Sequence, residues 1–191
     1  QDTIQGGIGN DLIYGGLNAD SIDAGDGSDI VYGDDGNDVI NFGLGNDTVF
    51  GGAGNDFIDD QASGALSGFN LIYGGIGNDT VFTGNDEDTL YGDEGNDVLN
   101  GEGGNDRLFG GIDDDRLYGG ANEDTLYGEV GNDTLYGDFG NDQLYGDTGL
   151  DTISTGGGED TVYGGGDADS ILGEDGNDRL YGNNGNDFLD G

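Results

Sequence analysis

The chain has 191 residues, of which 46 are Gly, 42 are Asp or Glu and three are basic (Arg107, Arg116 and Arg179), and its formal charge is −39. It has no Pro, Cys, Met, Trp or His, which excludes disulfides and thiolate metal sites. The acidity argues against nucleic acid and anionic membranes as partners, no apolar run is long enough to span a bilayer, and so acidic a chain is expected to be disordered without a counter-charge.

In chain order, Gln1–Gln5 reads as the tail of a repeat, with Asp2 and Ile4 in places that recur later. Six full copies of a nine-residue unit run from Gly6 to Asp59. Asp60–Gly64 (DQASG) reads as a five-residue insertion, and Ala65–Tyr73 (ALSGFNLIY) as a degenerate copy with Asn70 where Asp is expected. Thirteen copies follow without a slip from Gly74 to Asp190, and Gly191 begins another. The whole of 1–191 is thus one array of 20 units, with an insertion at 60–64 and a degenerate copy at 65–73. The chain has no Met and no visible signal peptide, so it is expected to be part of a larger or processed protein.

Within the unit, the sixth place is Asp in 19 of 20 copies and the eighth is Ile, Leu or Val in all 20. The fourth is Gly in 15, and otherwise Asn18, Asp86, Asp113, Asn122 or Asp167, the residue types that tolerate a left-handed backbone. The last three places alternate outward, inward, outward, as a short strand does, and the first six read as turn. Two turns and two strands make a coil of 18 residues. The predicted fold is all-β: a parallel β-roll (a right-handed β-solenoid) of two short-stranded parallel sheets, with the eighth-place aliphatics between them.

Gly6–Tyr14 (GGIGNDLIY), Gly51–Asp59 (GGAGNDFID) and Gly74–Phe82 (GGIGNDTVF) fit the pattern G-G-x-G-x-D-x-U-x, with U a large apolar residue, at every fixed place. The pattern resembles the calcium-binding repeat-in-toxin (RTX) family. That resemblance implies a β-roll with calcium held between the turns of neighbouring coils, export by type I secretion, and folding outside the cell. None of the catalytic motifs found beside such repeats occurs here, so the chain is not expected to be an enzyme.

Calcium takes six to eight oxygen ligands, which Gly-rich turns and Asp supply. The candidate ligands are Asp11, Asp20, Asp29, Asp38, Asp47, Asp56, Asp79, Asp88, Asp97, Asp106, Asp115, Asp124, Asp133, Asp142, Asp151, Asp160, Asp169, Asp178 and Asp187. Turns on one side belong to alternate copies, so these residues should pair 18 apart, as Asp79 with Asp97 or Asp124 with Asp142. Asn70 spoils two pairs, leaving about 16 of 18 for Ca2+, whose charge would nearly match the acidic excess. The other reading is that Asp only caps turns through hydrogen bonds to its own backbone. A cap would accept Asn or Ser as readily, which the near-exclusive use of Asp does not show. The Asn common at the fifth place, such as Asn10 and Asn132, reads as turn chemistry.

The ninth place carries a second signal. Odd copies end in Tyr14, Tyr32, Phe50, Tyr73, Tyr91, Phe109, Tyr127, Tyr145, Tyr163 and Tyr181, all aromatic, whereas even copies end in a mixed set from Asp23 to Asp190. One sheet should therefore carry an aromatic ladder about 45 Å long. It serves either inter-coil stacking or contact with a partner. The expected function is a calcium-dependent structural module of a secreted or cell-surface protein, disordered without calcium and open to self-association or to a neighbouring domain. The alternative is a polysaccharide- or partner-binding module beside a catalytic or toxin domain.

Overall fold

The computed structural model describes residues 1–60 and 68–191, and among these it contains strands and turns but no helix. The strands form two parallel sheets. One takes every second strand, from Leu12–Leu17 through Thr89–Glu94 and Arg107–Ile112 to Arg179–Asn183; the other runs from Thr3–Ile8 through Val98–Asn100 and Arg116–Ala121 to Phe188–Asp190. Neighbours within a sheet are 18 residues apart in register, as Leu90 opposite Leu108 and Leu99 opposite Leu117. This is the predicted β-roll.

Across the extra residues the register offset becomes 23, with Thr48 opposite Leu71 and Phe57 opposite Thr80, so both sheets continue unbroken. Of the insertion expected at Asp60–Gly64 only Asp60 is described; its remainder and the start of the degenerate copy Ala65–Tyr73 fall on residues 61–67, outside those described.

The eighth-place aliphatics form one file between the sheets. From Val31 through Leu90 and Leu126 to Ile171 they are fully buried, whereas Leu189 in the last coil is 41 % exposed. Apart from Phe42, a described copy buries at most one large apolar side chain, so each coil depends on its neighbours for its core.

Two local expectations need correction. After the aromatic sheet the turn is shorter than six residues, because strands such as Thr89–Glu94 and Thr125–Val130 run on into the third place of the next copy, whereas strands of the other sheet such as Phe57–Asp59 and Val98–Asn100 stop at the ninth place as expected. The place that always adopts a left-handed backbone is the second. All its described residues have positive φ, including Asp34, Asp93, Glu102, Glu129, Asp138, Asp147, Glu174 and Asn183 at 56–75°. At the fourth place Asn18, Asp113, Asn122 and Asp167 have φ of 71–83°, as expected, but Asp86 does not. Its carboxylate accepts instead from the Gly68 N–H of the preceding coil, at 2.9 Å.

Candidate metal centres

The sixth-place Asp side chains turn inward and form two columns, one on each side of the roll. Residues 18 apart come together, as the sequence predicts: the Asp79 N–H donates to Asp97 Oδ1 at 2.7 Å, and the Asp124 N–H to Asp142 Oδ1 at 2.9 Å. Across the insertion the Asp56 N–H donates to Asp79 Oδ1 at 2.7 Å. The carboxylate therefore ties one coil to the next rather than capping its own turn. The fifth place forms a second ladder of opposite sense. There the Asn96 N–H donates to Asn78 Oδ1 at 3.1 Å, and the Leu150 N–H to Asn132 Oδ1 at 2.9 Å.

The other carboxylate oxygen carries the functional signal. From Asp11 to Asp169 the Oδ2 atoms of the sixth-place residues are buried and accept no hydrogen bond, while residues such as Asp97, Asp115 and Asp133 are only 1 % exposed. A buried unpaired charge costs several kcal/mol and calls for a counter-ion or a proton. Burial, reinforced by neighbouring carboxylates, raises Asp79 and Asp142 to about 7 and Asp106 and Asp115 to about 8, against an ordinary 3.8.

The turn is shaped around these oxygens. A Cβ on Gly92, at the first place, would sit 2.4 Å from Asp97 Oδ2 and 2.4 Å from the Gly110 carbonyl oxygen of the next coil. Glycine therefore leaves carboxylate and carbonyl oxygens facing a space with no side chain in it. Among the described residues no three Asp or Glu side chains gather into one cluster, so an ion held here would draw on paired carboxylates and backbone carbonyls. This donor set is hard, anionic and all-oxygen, and it fits Ca2+.

Asn70 shows the contrast. Its Oδ1 accepts from the Asp47 N–H at 3.0 Å, as an Asp would, and its Nδ2 donates to the Gly68 carbonyl at 3.0 Å. An amide brings its own donor where a carboxylate lacks one. The substitution Asp115→Asn separates the two roles of the sixth place. Its Oδ1 can still accept from Asp97 N–H, so a pure cap predicts no change. Loss of an ion ligand predicts fewer ions bound and a higher calcium midpoint, readable by equilibrium dialysis and circular dichroism.

The aromatic ladder is present with all ten rungs. Adjacent rings stack with centroids 4.7–5.2 Å apart and planes within 10°. Each inner ring covers the faces of its neighbours, so edges and hydroxyls point outward. Only Tyr14 and Tyr181, which are 57 % and 45 % exposed, have an outer ring face uncovered by another rung. The seventh-place column beside the ladder, from Leu12 to Arg179, contains no acidic residue.

The family model of the RTX calcium-binding nonapeptide repeat matches in overlapping segments from residue 1 to residue 191, leaving out only 60–64. No curated protein matches the chain. Among solved structures, a hyperactive, Ca2+-dependent, β-helical antifreeze protein from an Antarctic bacterium is similar in fold. Its TM-score is 0.68 at 20 % identity, over 95 % of this chain and 70 % of that one.

Proposed function

The chain belongs to the RTX calcium-binding nonapeptide repeat family, and from that membership we propose that it is a calcium-dependent structural module of a secreted or cell-surface protein. The observation that carries this reading is the repeated buried Oδ2 without a donor. Each marks a place where the roll at neutral pH lacks a positive charge, and the chain has only three basic residues to supply one. The sixth-place carboxylates of neighbouring coils would hold Ca2+, which would supply that charge. In its absence, repulsion along two columns of buried carboxylates opposes the fold, so ion binding and folding are one event. Extracellular calcium modules bind near the millimolar range, far above cytosolic levels, so the chain would stay extended inside the cell and coil outside it.

The polysaccharide-binding alternative has less support. Sugar stacking needs free aromatic faces, and the inner rungs of the ladder spend theirs on one another. A calcium titration followed by circular dichroism tests the proposal. A disordered spectrum in chelator is expected to turn β-rich over a cooperative transition between about 0.1 and 1 mM calcium. A β-rich spectrum in chelator at pH 8 would sink it.

A further inference from the structure

Asn70 breaks one column of carboxylates, and by sequence pattern its turn lacks an acidic ligand. The packing brings another carboxylate to that turn. Asp59 stands opposite Phe82, and the Asp60 N–H donates to the Phe82 carbonyl at 3.2 Å. First-place residues make that same bond elsewhere: Gly101 N–H to the Tyr118 carbonyl, and Thr155 N–H to the Leu172 carbonyl, both at 3.0 Å. Asp60 thus occupies the first place of its coil, between Phe42 and Thr83, and like them it is buried. In regular coils a first-place Cβ points at the sixth-place carboxylate of its own turn, 2.4 Å from Asp97 Oδ2 at Gly92 and 2.5 Å from Asp115 Oδ2 at Gly110. A carboxylate carried at the first place therefore enters the space that the sixth-place carboxylate fills in other coils.

We propose that Asp60 supplies the carboxylate that Asn70 lacks, so that the calcium sites of this column continue through the insertion as the pairs Asp47–Asp60 and Asp60–Asp88. Asp47 and Asp88 lie one coil to either side, 1 % and 2 % exposed, and the Oδ2 of each meets no donor. Asp60 is near enough to both for its charge to act on theirs. Asn70 meanwhile has its amide oxygen and nitrogen hydrogen-bonded within the backbone. The coil keeps one inward carboxylate at this turn, moved from the sixth place to the first.

The inference rests on the calcium reading above, and the test separates the two. Bound calcium is counted by equilibrium dialysis for the full chain and for Asp60→Asn, Asn70→Asp and Asp59→Asn. The expected result is that Asp60→Asn binds fewer ions than the full chain, short by the two intervals Asp60 serves. Asn70→Asp should gain none, and Asp59→Asn, altered at the ninth place, should match the full chain. An unchanged count for Asp60→Asn overturns the proposal, as does an Asn70→Asp chain that binds additional ions, since the turn would then have been vacant. If Asp60→Asn fails to fold, Asn70→Asp still decides. An unaltered chain that binds no calcium overturns the calcium reading itself.

Discussion

In the presence of chelator, acidification from pH 8 to pH 5 is expected to restore the β-roll that calcium supports at neutral pH. Burial of the carboxylates is the main cause. It raises Asp47, Asp56, Asp79, Asp88, Asp124, Asp142 and Asp151 to about 7, Asp97 and Asp133 to about 6, and Asp106 and Asp115 to about 8. In the unfolded chain the same groups titrate near 3.8. A carboxyl whose pKa is higher in the folded state favours folding when protonated. Its contribution is complete below the unfolded value and is lost as the pH rises through 6 to 8. Each unit of difference corresponds to about 1.4 kcal/mol per group, so many groups acting together dominate the metal-free fold. Protons and calcium compete for the same oxygens, and the calcium midpoint should rise as the pH falls. A metal-free chain equally disordered at pH 8 and pH 5 would refute this account, as would a calcium midpoint independent of pH.

The second large effect is expected at Leu108. It lies mid-roll and is fully buried between Leu90 and Leu126 in the core file. Leu108→Ala removes most of the apolar contribution of its copy and leaves a cavity that rigid parallel coils cannot close, at a cost of about 2–5 kcal/mol. Because each coil rests on its neighbours, the damage falls on the junction between two halves of the array. Leu189→Ala makes the same chemical change at the same place in the unit, in the last coil, where 41 % of the residue is exposed. Its cost should stay below about 1 kcal/mol. Urea denaturation in saturating calcium measures both. Equal losses would mean that burial along the file does not set stability.

The two leucines hold the same place in the unit, and only their position in the stack separates them. The nine-residue period, the sixth-place Asp, the eighth-place aliphatic and the aromatic alternation at the ninth place fix the β-roll, its 18-residue coil and its candidate metal ligands. This holds because in a solenoid each residue meets its own counterpart one coil away, so a short pattern specifies a long-range contact. Tertiary structure decided what depends on exact backbone direction. It put the obligatory left-handed residue at the second place, where the strand bends into the turn, and it placed a donor on Oδ1 but none on Oδ2. It turned the ring faces of the ladder toward one another. At the insertion it also brought Asp60 into the first-place column, ten residues ahead of Asn70. The period cannot carry information across a slip, whereas the backbone hydrogen bond from Asp60 to Phe82 can.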